Sequence, residues 1–180
     1  MTLLFRSYAG SILHGLSTPS SDIDIFEIHS ESFGSAHANK QEVQKIEGEL
    51  DVTKITLSRF MQRSMDGSHQ CLDAMFSSIA EVDEISALRK SFYAGSSTVE
   101  VFGRSIRELA HQKPPKKRRH AVRVTLNLIQ MMETGRYEPR LTEPEIAETD
   151  RISRLSTDQF YSAIQELSPI ELGLTHRRYR

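Results

Sequence analysis

The sequence of 180 residues contains a single cysteine, Cys71, and no long apolar run. One cysteine cannot form an internal disulfide or supply a zinc cluster, so we expect a reducing compartment. Because the apolar stretches are only a few residues long, neither a membrane span nor a secretory signal is predicted. These absences predict a protein of the cytoplasm that has no membrane partner.

The composition is that of a soluble globular chain, with 38% hydrophobic and 26% charged residues. The length allows one domain with a sizeable core, or one domain with a helical annex. The net charge is unevenly divided: residues 1–90 carry 8 Lys/Arg and 13 Asp/Glu, whereas residues 91–180 carry 15 and 11. The acidic half could concentrate cations and the basic half could hold phosphates, although two ordinary solvated faces would have the same composition.

Short strands are predicted first along the chain and helices after them. Polar and apolar residues alternate from Asp22 to Ile28, which is typical of a strand with one wet face. Strands are predicted at 3–9, 22–28 and 49–55, with a helical turn at 12–16 and a loop at 30–41. Helices are predicted at about 56–65, 68–79, 96–111 and 117–134, and as two further helices starting near residues 142 and 156.

This order predicts an α+β fold, in which a small mixed sheet that contains antiparallel strands is followed by a helical C-terminal portion. We place the core at residues 1–80 and the helical portion at residues 81–180. Gly135 is expected to end the clearest helix as a C-terminal cap.

Three aspartates suggest a site for divalent metal ions. Asp22 and Asp24 stand two residues apart on a strand, so their side chains would project together while Ile23 and Ile25 face the core. Asp51 lies on a strand that could pair with the first one. Mg²⁺ prefers carboxylate and phosphate oxygens, and a pair of ions can stabilise both the attacking and the leaving oxygen in phosphoryl chemistry.

Gly10 and Ser11 precede these aspartates by a spacer of ten residues. A glycine in front of a helical turn lets the backbone come close to a phosphate, and free amides at such a turn favour anions. The Ser11 hydroxyl can donate a hydrogen bond to the same group.

Gly-Ser, this spacer, Asp-Ile-Asp and a later strand aspartate are together similar to the signature of the DNA polymerase β-like nucleotidyltransferases. Within that superfamily the chain resembles the phage and bacterial group associated with RNA repair (RlaP-type). The resemblance spans roughly residues 3–146. The segments that carry it are Tyr8-Ala9-Gly10-Ser11 through Asp22-Ile23-Asp24, residues 51–60 continuing to 72–76, and residues 116–123 running to Thr134-Gly135.

The resemblance implies a site for two ions, Mg²⁺ or Mn²⁺, in which Asp22 and Asp24 bind both. Asp51 would complete the catalytic metal site and help to deprotonate the acceptor hydroxyl. Residues 1–80 would be the catalytic core, and residues 81–180 would close the nucleotide cleft. The implied nucleotide-binding residues are Gly10, Ser11, Ser21, Lys117, His120 and Arg123.

The helix predicted at 117–134 has a polar stripe opposite an apolar side that includes Val122, Leu126 and Ile129. An ordinary solvated face would show the same pattern, and the resemblance favours a contact with nucleotide phosphates instead. Residues 113–119 could also form a nucleic-acid or localisation patch. The sequence leaves the role of His14 open. The polar stripe of the helix predicted at 117–134, with the residue just before it, consists of Lys116, His120, Arg123, Asn127 and Gln130.

The expected reaction transfers a nucleoside monophosphate from an NTP to an acceptor hydroxyl, and an RNA 3′ end, such as that of a tRNA under repair, is the first choice of acceptor. A protein hydroxyl is the alternative, as in AMPylation-like toxin–antitoxin pairs. A third possibility is a non-catalytic module that binds nucleotide or RNA. If a phage encodes the chain, the cytoplasm is that of the host cell.

Overall fold

The computed structural model describes residues 2–30, 41–92, 95–112 and 114–174. In this part of the chain five strands form one sheet in the order β3-β4-β2-β1-β5. β2 and β4 are parallel, and the other neighbouring strands are antiparallel. The strands are β1 (Leu3–Tyr8), β2 (Ile23–His29), β3 (Glu42–Glu47), β4 (Leu50–Thr56) and β5 (Ala80–Asp83).

The helices account for most of the chain after β4, which together with the mixed sheet confirms the predicted α+β fold. Within the described residues, no helix is both long and apolar enough to cross a membrane. The helices are α1 (Gly10–His14), α2 (Leu57–Met65), α3 (His69–Met75), α4 (Ser86–Ser91), α5 (Ser96–Ala110), α6 (Pro115–Thr134), α7 (Glu143–Ser153) and α8 (Thr157–Leu167).

The chain divides into two compact units. The first comprises Met1–Tyr93 with Glu138–Arg140, and it contains the sheet and α1 to α4. The second comprises Ala94–Tyr137 with Leu141–Arg180, and it contains α5 to α8. The assignment of a catalytic core and of a portion that closes a cleft stays a prediction.

Local sequence signals set several helix ends. The sequence offers Thr56 or Ser58 as the cap of α2, and the Arg59 amide donates to the Thr56 hydroxyl at 3.4 Å, so Thr56 is the cap. Gly135 ends α6 with a φ of 69°, which confirms the predicted C-terminal cap. Thr142 and Glu145 form a capping box at the start of α7, where the sequence Thr-Glu-Pro-Glu from residue 142 predicts one.

Three short elements were not predicted: β3, β5 and α4. β3 is largely exposed at the sheet edge and carries no buried apolar alternation, and β5 has only four residues. Such elements leave little periodic signal, because the partner strand rather than the local pattern specifies them. The predicted loop falls mainly on residues 31–40, which lie outside the described residues.

The prediction of one wet face on β2 is wrong, because every residue from Ile25 to His29 is buried. Phe26 and Ile28 belong to the core cluster, which also contains residues of α2 and α3. On the opposite face Glu27 is only 5% exposed. Alternation correctly placed the strand, but it could not show that both faces are covered.

Glu27 is tolerated in this buried position because it has several partners. Its carboxylate pairs with Arg6 and lies 3.5 Å from Nζ of Lys54 and 3.0 Å from Nε2 of His29. Buried charges persist in proteins when they are paired and hydrogen-bonded, since an isolated one costs several kcal/mol. The network therefore ties β1, β2 and β4 together on this face of the sheet.

Cys71 is buried in the core cluster that contains Phe26 and Ile28, and burial raises the pKa of its thiol to about 11. The thiolate fraction at pH 8 should then be about one part in a thousand. We expect an aromatic disulfide reagent to label native Cys71 at least about a hundredfold more slowly than the guanidinium-unfolded chain. Equal labelling rates in the two states would contradict this buried position.

Candidate active site

The parallel pairing of β2 and β4 brings two of the predicted carboxylates together. Asp24 and Asp51 are direct partners in the register of the two strands. Neighbouring strands lie about 4.8 Å apart, so side chains at paired positions stand side by side on one face of the sheet. The same face carries the core residues Phe26 and Ile28 further along β2. The sheet thus presents an acidic pair at the start of the two strands.

Gly10, the first residue of α1, lies directly against this pair. Its φ is +53°, which a residue with a side chain rarely adopts. A Cβ atom at this position would lie 2.0 Å from Oδ2 of Asp24. The Ala9 amide also donates to the main-chain oxygen of Asp24 at 2.9 Å. Both the backbone conformation and the close approach therefore require glycine where the chain turns from β1 towards the carboxylate.

Gln44, on β3, is a site residue that the sequence did not reveal. Its side-chain amide Nε2 donates to both carboxylate oxygens of Asp51, at 2.9 and 2.8 Å. A donor shared by both oxygens fixes the plane of the carboxylate. Because β3 itself was not predicted, nothing in the sequence pointed to this contact.

The remaining first-unit candidates lie next to β2. Asp22 is exposed and stands one residue before the strand begins. The Ser21 hydroxyl accepts a hydrogen bond from the Thr18 amide at 2.8 Å and so closes the turn at 18–21. Ser11 follows Gly10 in α1 and is half-buried.

A family model described as RlaP, RNA repair pathway DNA polymerase beta family, matches residues 1–167. The chain belongs to this family. The match confirms the resemblance seen in the Gly-Ser and Asp-Ile-Asp segments, and it extends through α8 into the second unit. No curated protein matches the chain.

The donor atoms of the acidic pair are carboxylate oxygens, which divalent ions such as Mg²⁺ prefer. Among the described residues, no three His, Cys, Asp or Glu side chains form a ready-made metal site. Mg²⁺, however, is usually held by one or two carboxylates together with water and substrate phosphates. Asp24 and Asp51 are direct partners on neighbouring strands, and Gly10 lies beside Asp24. This arrangement fits that mode of binding.

If Asp51 binds a divalent ion, the Gln44 contact predicts how the affinity for that ion changes on mutation. In Gln44→Ala the Asp51 carboxylate loses its orienting donor, and loss of such outer contacts typically costs 10- to 100-fold in metal affinity or activity. We expect the Mg²⁺ concentration for half-maximal activity, and the Mn²⁺ dissociation constant from electron paramagnetic resonance, to rise about tenfold. Lys45→Ala, on the opposite face of the same exposed strand, is the control. Unchanged metal affinity in Gln44→Ala would contradict the assigned role.

The three predicted nucleotide-binding residues of α6 lie in the second unit. Lys117 is exposed, His120 is half-buried, and Arg123 is only 2% exposed. The Arg123 guanidinium donates to Oδ1 of Asn127 at 3.2 Å. Arg123 and Asn127 are both buried, so this part of the polar stripe is not a solvated face. A contact of these side chains with nucleotide stays a prediction.

Two arginines of the basic stretch at residues 113–119 are engaged within the second unit. Arg118 donates to the Leu155 carbonyl at 2.8 Å, and its guanidinium lies 4.9 Å from the centre of the Phe160 ring. Arg119 pairs with Asp150 at 2.9 Å. These contacts join α6 to α7 and α8, so part of the positive charge stabilises the unit itself. Lys113 lies outside the described residues.

Proposed function

We propose that this protein transfers a nucleoside monophosphate from an NTP to the 3′ hydroxyl of an RNA. The observation that carries the proposal is the contact of Gly10 with Asp24, beside Asp51 on the neighbouring parallel strand. A glycine turn thus lies next to two paired carboxylates. A backbone that can come close to a phosphate, beside acidic side chains, suits phosphoryl chemistry. Membership in an RNA repair family supports RNA as the acceptor.

The residues of the site have two roles in the proposed reaction: the aspartates bind ions, and Gly10 and Ser11 bind phosphate. Asp22, Asp24 and Asp51 would hold the ions, Mg²⁺ or Mn²⁺. When bound, these ions neutralise phosphate charge and activate the attacking oxygen. Gly10 lets the backbone approach the triphosphate, and the Ser11 hydroxyl donates to a phosphate oxygen.

The bonds made and broken follow from this arrangement. The 3′ oxygen of the acceptor forms a bond to the α-phosphorus of the NTP, and the bond from that phosphorus to the α–β bridging oxygen breaks. Pyrophosphate leaves with the electron pair of that bond. The proton of the acceptor hydroxyl passes to the Asp51 carboxylate, which Gln44 holds in a fixed orientation.

The second unit carries the remaining candidate residues of the proposal. Lys117, His120 and Arg123 are the candidates for the nucleotide phosphates. Residues 91–180 carry 15 Lys/Arg against 11 Asp/Glu, and this excess of positive charge suits an RNA backbone. Lys116 and Lys117 are exposed at the start of α6, where they would contact RNA phosphates.

The proposal is tested by incubating the protein with each α-³²P-labelled NTP, Mg²⁺ and total RNA. We expect label from at least one NTP to enter RNA, to disappear on ribonuclease treatment, and to be absent with the Asp24→Asn variant. Label that resists ribonuclease and is removed by protease would instead show a protein acceptor and overturn the RNA assignment. Binding of an NTP without transfer to RNA or protein would indicate a non-catalytic module.

A further inference from the structure

His14, the last residue of α1, is a buried imidazole with two polar partners. The side chain is 1% exposed. Its Nδ1 lies 2.9 Å from the carbonyl oxygen of Pro139, and its Nε2 lies 3.3 Å from Oδ2 of Asp73 on α3. Asp73 is itself only 6% exposed, and Nδ1 of His69 is 4.0 Å from the same carboxylate oxygen.

The chemistry of these partners limits where the protons can be. A carbonyl oxygen only accepts hydrogen bonds, so Nδ1 of His14 carries a proton and donates to Pro139. Nε2 then either donates to the Asp73 carboxylate from a charged ring or accepts from a protonated Asp73. In both cases His14 and Asp73 share one proton across the contact.

These contacts anchor a helix that is too short to hold itself. α1 has only five residues, and isolated helices of that length do not persist in water. Contacts with the rest of the first unit must therefore hold it in place, and Leu13 and His14 are its buried side chains. The His14 ring joins α1 to α3 and to the segment 138–140, which belongs to the first unit although its neighbours in sequence belong to the second.

We propose that His14 and Asp73 are positioning residues, which hold α1 so that Gly10 stays against Asp24. The inference rests on the proposed function, since it takes this turn to bind the triphosphate. His14 lies four positions after Gly10 in the same helical segment, so a loosened anchor displaces the turn. Neither anchoring side chain itself contacts the nucleotide in this scheme.

Four variants separate positioning from a general effect on stability. His14→Leu removes both hydrogen bonds while keeping bulk, and Asp73→Ala removes the acid. Asp73→Asn keeps the contact, because the amide N–H can donate to Nε2 of a neutral ring whose Nδ1 still donates to Pro139. Ser64→Ala is the control, since it deletes a buried hydrogen bond of 2.8 Å to the Phe60 carbonyl in the same unit, away from α1.

The test measures binding of ATP, CTP, GTP and UTP, each with Mg²⁺, by calorimetry at a temperature where circular dichroism shows every variant folded. We expect His14→Leu and Asp73→Ala to weaken binding of the preferred NTP about tenfold. The KM for that NTP should rise by the same factor, while kcat changes less than about threefold. Asp73→Asn and Ser64→Ala should bind like the wild-type chain.

The outcomes separate this inference from the proposed function. If the wild-type chain binds one NTP and His14→Leu binds it equally well, positioning by His14 is wrong and the proposed function stands. Should His14→Leu not fold, Asp73→Ala decides the same question. Equal weakening in Ser64→Ala would reduce the effect to general stability and overturn the inference. A wild-type chain that binds none of the four NTPs would overturn both proposals.

Discussion

Replacing Asp24 with asparagine is expected to lower nucleotidyl transfer by at least about a thousandfold, because a neutral amide oxygen binds a divalent ion much more weakly than a charged carboxylate does. A loss of several kcal/mol in transition-state stabilisation corresponds to a factor of this size. Thermal stability should be unchanged or slightly higher. Asp51 is the cross-strand partner of Asp24, and removing one of two neighbouring like charges relieves repulsion.

The measurement compares initial rates of label transfer and thermal unfolding midpoints for Asp24→Asn and the wild-type chain. Glu49→Gln is the matched control, since it neutralises an exposed carboxylate in the turn between β3 and β4 and should retain full activity. An Asp24→Asn variant that transfers nucleotide at more than a tenth of the wild-type rate would exclude Asp24 from the metal site.

A methyl group added at Gly10 should be nearly as damaging. In Gly10→Ala the new Cβ would meet Oδ2 of Asp24 at 2.0 Å, so either the turn or the carboxylate must move by more than about 1 Å. A misplacement of about 1 Å in a catalytic group can cost about a hundredfold in rate, and we expect at least that loss in transfer. The positive φ adds a backbone cost of about 1–2 kcal/mol in unfolding free energy.

Gly48→Ala separates the two effects of the Gly10 substitution. Gly48 has a φ of +67°, yet a Cβ atom there would meet nothing within 4 Å. Its replacement should therefore cost similar backbone free energy in denaturant unfolding while leaving transfer intact. If Gly10→Ala and Gly48→Ala lose the same stability and both stay active, the contact with Asp24 has no catalytic importance.

Much of this site could be predicted because its signals are local. Alternation around Asp22 and Asp24 predicts β2, the glycine before them indicates a tight turn, and the segment 49–55, which contains Asp51, fits a further strand where β4 lies. The structure then placed Asp24 and Asp51 in direct register. That register depends on the pairing of two strands far apart in sequence, which no local pattern specifies.

The contacts that hold the site in place were not predictable in the same way. Gln44 reaches Asp51 across an edge strand, and His14 meets the Pro139 carbonyl 125 residues later in the chain. Glu27 is buried on β2, and its cationic partners Arg6 and Lys54 come from other strands. Each of these contacts is a long-range pairing of polar groups, so the residue types alone carry no signal for it.

Parallel reactions with α-³²P- and γ-³²P-labelled NTP test most directly whether the protein transfers a nucleoside monophosphate. With Mg²⁺ and RNA, we expect the α label to enter RNA and the γ label to leave the NTP only as pyrophosphate. Transfer of the γ label to RNA or protein, or recovery of the α label only in unreacted NTP for all four nucleotides, would contradict the account.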